Sequence, residues 1–301
     1  MVHPSMTNQR PFQDDNQSRK RQKIGSNYSH ASQQFNASSE SGITIIPPTN
    51  EHQHTVIFLH DHGTTPAAFA TAFFENSEST GQSLDATFPN VKWIFPPSVL
   101  RDTTPSGTSI PSWFVYWSLA EPEHPAQADA QRNEMSQNLG PLMDLIDNEV
   151  DAVGGDHVCL VGMGQGCAMA AIAFLTGWND IGCFVGLAGW LPCQTQMEDI
   201  VARSETHPEA QTRMRAFVPS GRAGMPHWLG ALGRPVLLLH CRDDAIVPVA
   251  RSEGLCRVMQ DMGMVVQCRG YEVGGHEGVT ESHAMGEFVR FLDHWMIESR
   301  P

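Results

Sequence analysis

The chain has 301 residues, 41% of them hydrophobic, which is enough to bury a sizeable core. Its 33 acidic residues outweigh 19 basic ones, for a net charge of -14, and the lysines are Lys20, Lys23 and Lys92 alone. That balance excludes a nucleic-acid-binding body, which needs a footprint of Lys and Arg, and no apolar run approaches the roughly 18 residues of a stable membrane insertion. Residues 1–50 are rich in Gln, Asn, Ser and Pro. They are expected to form a disordered polar tail, because ordering them would cost entropy that no core offsets. Residues 19–23, Arg-Lys-Arg-Gln-Lys, suit a nuclear import signal as well as an ordinary charged patch. No apolar leader follows the start, so the glycosylation patterns at Asn27 and Asn36 are read as chance. The seven cysteines lack C-x-x-C spacing and sit mostly in apolar context, which predicts reduced, buried thiols and a cytoplasmic setting, with the basic cluster leaving the nucleus open.

The first apolar run, residues 56–59, reads as a strand buried in a parallel sheet. It leads into His60-Asp-His-Gly-Thr-Thr and then a helix from about Pro66 carrying Phe69, Phe73 and Phe74. Residues 91–95 form the next strand, stopped by Pro96 and Pro97. Residues 99–134 are mostly loop, with a polar helix expected over 126–150. The short apolar run 158–161 then enters a glycine-dense turn and leaves it in a small-residue helix, a strand–turn–helix with the outer frame of a nucleophile elbow, Gly162-x-x-x-Gly166. The centre of such a frame holds Ser, Cys or Asp, and here it holds Gly164. A strand over 183–188 follows, then a mixed polar stretch, 194–230, read as a surface excursion or partial lid. Residues 235–239 are strand, a helix carries Leu255, Val258 and Met259, and a strand spans 265–271. The last helix holds Met285, Phe288, Phe291 and Leu292. Strands alternating with helices predict an α/β fold, a mostly parallel central sheet with helices on both faces.

In such a sheet, chemistry gathers in the loops at the carboxyl ends of the strands. Asp244 is placed to orient His276 through one ring nitrogen and leave the other as a base, although an aspartate there equally caps a turn. The backbone amides of His62 and Gln165 are candidates for an anion hole. His60, at a strand end, is read as a structural hydrogen-bonder. A metal centre from His60, His62 and His240 lacks carboxylate partners and a recognisable spacing, so no metal and no cofactor is expected. Trp113, Phe114 and Trp117 either pack a loop over the core or wall an apolar pocket.

Taken together, residues 56–65, 110–114, 160–170, 189–192, 240–248 and 271–276 resemble the phospholipase/carboxylesterase branch of the α/β-hydrolases, which contains acyl-protein thioesterases and lysophospholipases. The resemblance implies an α/β-hydrolase domain over residues 51–301. It implies Asp244 as catalytic acid, His276 as base, and His62 and Gln165 at the oxyanion hole, while the family's nucleophilic serine falls on Gly164. Two further departures flank the site: the family's His-Gly becomes His60-Asp61, and its Trp-Phe-Asp becomes Trp113-Phe114-Val115. Glycine cannot attack a carbonyl, and Cys167, beyond the elbow, is badly placed to substitute. The expectation is a divergent member without serine-hydrolase activity that binds an acyl-containing or other apolar molecule, or a protein. The alternatives are an enzyme using the Asp244–His276 base unit without a serine, and a folded scaffold with no ligand site.

Overall fold

The computed structural model describes residues 36–37, 42–77, 81–102, 109–115, 125–177, 181–220 and 233–299. An eight-stranded sheet organises them. In chain order its strands are β1 (Asn36–Ala37), β2 (Thr44–Ile46), β3 (His54–Leu59), β4 (Val91–Phe95), β7 (Val158–Met163), β8 (Cys183–Leu187), β9 (Pro235–Cys241) and β10 (Val265–Tyr271), while β5 (Val99–Asp102) and β6 (Ser109–Ser112) form a separate hairpin. The spatial order is β1-β2-β4-β3-β7-β8-β9-β10, with β4 through β10 parallel in that order and β1 and β2 antiparallel at one edge.

Both faces of the inner strands β3, β7, β8 and β9 are buried, which is why they read as unbroken apolar runs instead of alternating ones. Along β3, Ile57 and Leu59 enter one core, whereas Val56 and Phe58 enter the other. The first core is closed by α3 (Pro125–Val153), α4 (Gln165–Thr176), α5 (Gln194–Ala202), α6 (His207–Phe217) and α7 (Val249–Asp261); the second by α1 (Pro66–Ser77) and α8 (Ser282–Glu298). Helix α4 is buried along its whole length, so only small or apolar side chains suit it. Phe58 stands at the middle of the second core, edge-on to Phe69 and Phe73 at 4.9 and 4.6 Å.

Four expectations need correction. The folded part begins before residue 51: β2 pairs with β4, and Thr44 and Ile46 are buried. Its apolar residues are too few to register as a strand until β4 supplies their partners. The stretch expected as mostly loop ahead of the helix over 126–150 contains the β5–β6 hairpin, while that helix is α3. The stretch read as an excursion from 194 contains α5 and α6, which bury Met197, Ala210 and Met214 in the core. The cysteines are not all reduced. Cys256 on α7 and Cys268 on β10 are disulfide-bonded, while Cys159, Cys167, Cys183, Cys193 and Cys241 are buried free thiols. Only the packing of α7 along β10 brings that pair together.

The edge strand makes the first prediction. A chain beginning at Gly42 should melt like the full chain, whereas one beginning at Glu51 should melt lower. Losing the buried Ile46 alone removes about 2 kcal/mol, and about 2–4 °C per kcal/mol for a domain of this size gives a drop of about 4–8 °C. Equal melting temperatures for the two chains would show that β2 adds nothing to the fold.

Candidate active site

The elbow forms as its glycines dictate. A Cβ on Gly162 would lie 2.5 Å from the backbone of Cys167, and one on Gly166 would lie 2.2 Å from the carbonyl oxygen of Leu59. These two positions admit no side chain. Gly164 sits at the apex with φ 52° and ψ -119°, between β7 and the first turn of α4, and its N–H donates to the Leu187 carbonyl at 2.9 Å. The strained turn that normally lifts a nucleophile above the sheet is thus present, carrying no side chain of its own.

The space over Gly164 is filled by Asp61. A Cβ built on Gly164 would meet Asp61 Oδ1 at 1.9 Å, Cγ at 2.3 Å and Oδ2 at 2.7 Å. The Asp61 carboxylate therefore stands where a side chain at the elbow would stand. Its Oδ1 accepts the backbone N–H of Gln165 at 2.7 Å, and its Oδ2 accepts from Nε2 of His276 at 3.0 Å. The loop bearing it is pinned by His60, whose buried ring donates from Nδ1 to the Asp61 carbonyl at 2.7 Å and accepts the Ser98 N–H on Nε2 at 3.3 Å. Burial pushes the His60 pKa down, in keeping with a neutral structural ring. The sequence signal for Asp61 was visible as a departure in the first loop, but its destination was not.

Asp244 and His276 meet as expected. Nδ1 of His276 donates to Asp244 Oδ2 at 2.7 Å. The same aspartate also caps its own loop, because Oδ1 accepts the N–H groups of Ile246 and Val247 at 2.8 and 2.9 Å. Asp244 thus contacts His276 with one oxygen and its own loop with the other. Its neighbour Asp243, which sequence reasoning passed over, ties down the histidine loop by accepting the N–H groups of Gly275 and Gly274 at 2.8 and 3.2 Å. Buried His240 donates from Nε2 to the Val247 carbonyl at 2.7 Å, with Asp244 Oδ2 3.4 Å away.

His276 is thus held between two carboxylates. Burial opposes its charge, but the hydrogen bond and negative charge of Asp61, followed by those of Asp244, outweigh it and raise the pKa from 6.5 to about 9. At neutral pH the ring is an imidazolium, a proton donor and not a base.

The other expected residues fall differently. The Gln165 N–H, a candidate anion-hole donor, is taken by Asp61. Its buried side chain accepts from Ser112 Oγ and the Trp113 N–H at 3.0 and 2.9 Å and donates to the Phe114 carbonyl at 2.6 Å, fastening the hairpin side of the site to α4. His62 is the half-buried residue next to Asp61 in the same loop. Trp113 and Phe114 are buried in the core, with Trp113 Nε1 donating to the His60 carbonyl at 2.8 Å and Phe114 edge-on to Trp190. Both side chains pack the loop against the core. Trp117 lies outside the described residues. Val115 keeps a carboxylate nearby, since its N–H donates to Glu134 Oε2 at 2.5 Å. Cys167 points away from the apex, its sulfur packed against Gly186 and Gly189, and burial pushes its thiol pKa far up. Among the described residues no group of three or more His, Cys, Asp or Glu could hold a metal ion.

A parallel sheet, an elbow on its central strand, and an Asp–His pair on the loops of two later strands define an α/β-hydrolase. The chain belongs to the phospholipase/carboxylesterase family, whose profile matches residues 41–216, more than half its length. The acid–base pair lies beyond that match. The chain is 27% identical over 252 residues to acyl-protein thioesterase 1 of Schizosaccharomyces pombe, covering 82% of this chain and 94% of the relative. Against acyl-protein thioesterase 1 of Gibberella zeae it is 26% identical over 252 residues, covering 82% and 93%. Its fold is like that of Zea mays acyl-protein thioesterase 2, with a TM-score of 0.61 at 20% identity over 84% of this chain and 98% of that one, and like that of esterase PE8, at 0.56 and 18% over 83% and 96%. Among the described residues no helix is long and apolar enough to cross a membrane.

Proposed function

We propose that this chain is a family member that forms no acyl-enzyme and instead holds an acyl-containing or other apolar molecule, or a partner protein, in the cytoplasm. The observation that carries the reading is the Asp61 carboxylate over Gly164, which fills the space of the absent serine side chain, occupies the Gln165 amide and keeps His276 cationic. Losing only the nucleophile of a dissected serine protease lowers turnover by about 10⁶. Here the base is withdrawn as well.

The space above Gly164 is filled, and filled with negative charge. The ligand is therefore a neutral compound with a long apolar chain (an acyl ester, thioester or amide, or an alcohol) in preference to a free fatty acid, whose carboxylate would meet that of Asp61. The relatives are named acyl-protein thioesterases, which supports an acyl ligand. Calorimetry on the delipidated chain should show a long-chain alcohol binding at least about tenfold more tightly than the matching fatty acid, a difference of about 1.4 kcal/mol, and Asp61→Asn should narrow the gap. Fluorophosphonate labelling of the unmodified chain at any residue, or fast hydrolysis of short acyl esters, would sink the proposal. An absence of acyl binding together with stoichiometric capture of a protein would favour the protein-binding branch. The alternative in which Asp244 and His276 act as a base on water is disfavoured, because Nε2 of His276 already carries a proton shared with Asp61.

A further inference from the structure

Resting on the reading of the site as one without serine chemistry, we propose that Asp61 is itself a nucleophile, and that the Asp61–His276–Asp244 unit opens an epoxide carried on an apolar chain to give a vicinal diol. A carboxylate is a poor match for an ester carbonyl, since the mixed anhydride it would form is less stable than the ester attacked. Toward a strained sp³ carbon it is a competent nucleophile, because the product is an ordinary ester and ring strain is released.

The geometry divides the work among the atoms. Oδ1 of Asp61 is fixed on the Gln165 N–H at 2.7 Å. Oδ2 accepts a hydrogen bond from Nε2 of His276 at 3.0 Å and keeps a second lone pair for attack. The Asp61 side chain is 22% exposed against 4% for His276, so the carboxylate is the group a solute reaches first. Two apolar residues of the adjoining loops stand in solvent, Ile246 at 57% and Val273 at 77%, two residues after Asp244 and three before His276. They leave apolar surface for an alkyl chain on the loops that carry Asp244 and His276.

In the first step Oδ2 bonds to an epoxide carbon as that carbon's bond to the ring oxygen breaks. The electron pair leaves on the ring oxygen, which stays on the neighbouring carbon and takes the Nε2 proton of His276. Asp61 is now a neutral ester and His276 a neutral ring. With the Asp61 charge gone, burial and Asp244 alone act on the imidazole, and its proton affinity falls to that of a usable base. In the second step Nε2 takes a proton from water while the water oxygen attacks Asp61 Cγ. The charge developing on Oδ1 meets the Gln165 N–H already bonded to it. Collapse expels the diol oxygen, which is protonated by His276; the second water proton then passes from the new Asp61 carboxyl to Nε2, and the Asp61 carboxylate is regenerated with one oxygen from water. Epoxide and water are consumed, the diol is released, and nothing is oxidised or reduced.

The test uses the full chain in excess over 1,2-epoxydecane in heavy-oxygen water, with mass spectrometry of the Asp61 peptide and of the product. After one turnover the heavy oxygen should lie in Asp61 and the first diol should be light. In His276→Gln, which lacks both the acid of the first step and the base of the second, Asp61 should be alkylated only slowly and no diol should be released, and Asp61→Asn should lose both signals. A first-turnover diol carrying the heavy oxygen with Asp61 unlabelled would overturn the proposal in favour of direct attack by water. An epoxide left unconsumed, with the Asp61 peptide unchanged, would also overturn it. Either outcome leaves the ester-inert reading standing, and that reading fails only if the unmodified chain turns over esters or labels with fluorophosphonate. If His276→Gln does not fold, the label position in the unmodified chain still decides the matter.

Discussion

Placing serine at Gly164 should leave the chain inert toward esters, and placing glycine at Asp61 in the same molecule should turn it into an esterase. The two positions share one volume. A serine Cβ would be forced to 1.9 Å from Asp61 Oδ1, a contact that cannot persist, so Gly164→Ser must push the first loop or the elbow aside. Overpacking of this kind costs about 1–3 kcal/mol, and the single variant should melt lower than the parent. Asp61→Gly restores the first-loop residue that the family resemblance leads one to expect. It frees the Gln165 N–H and Nε2 of His276 together. In the double variant the hydroxyl gains a base no longer held protonated by a second carboxylate, and short acyl esters should be hydrolysed. A rate gain of several orders of magnitude over either single variant is expected, given that the missing nucleophile alone is worth about 10⁶. His276→Ala in the double variant should abolish it. Comparable activity in Gly164→Ser alone would show that Asp61 does not obstruct the site. An inert but folded double variant would show that Val115 or another departure also disables it.

The charge state of His276 gives the second large effect. Its carbon-bound ring protons, followed by NMR, should titrate with a midpoint at about 9, against 6.5 for an unperturbed ring. The sign for stability follows from that direction. A ring that binds its proton more tightly when folded contributes fully below pH 6.5, and the contribution is lost as pH rises through about 9. At about 1.36 kcal/mol per unit, the rise from 6.5 to about 9 corresponds to roughly 3 kcal/mol. The unfolding free energy should therefore decline by about that amount between neutral pH and pH 9–10. Asp61→Asn removes the larger of the two attractive partners, so its midpoint should fall well below the parent's and its stability should depend less on pH above neutrality. A parent midpoint below 7 would mean that the carboxylates do not hold the proton. The ring would then be a free base, and the assignment of His276 as the acid of the first step would fail with it.

Much of this molecule was legible in the amino-acid sequence. The parallel sheet followed from apolar runs too continuous for a half-exposed strand, as in the buried β3 and β7. The elbow followed from Gly162 and Gly166, where any Cβ would strike backbone. The Asp244–His276 pair followed from loop order, and hydrogen bonding now joins them. These are local patterns, or patterns repeated by every strand, and they survive without knowledge of who touches whom. What only the tertiary structure decided is pairwise and distant. The β2 edge strand has too few apolar residues to announce itself and is a strand because β4 offers it hydrogen bonds. The disulfide needed α7 laid along β10 before Cys256 and Cys268 could meet. Gly164 and Asp61, more than a hundred residues apart, read separately as a lost nucleophile and a stiffened loop. Folding puts the carboxylate of one into the space vacated by the side chain of the other, because β3 and β7 are hydrogen-bonded neighbours whose carboxyl ends open onto the same point.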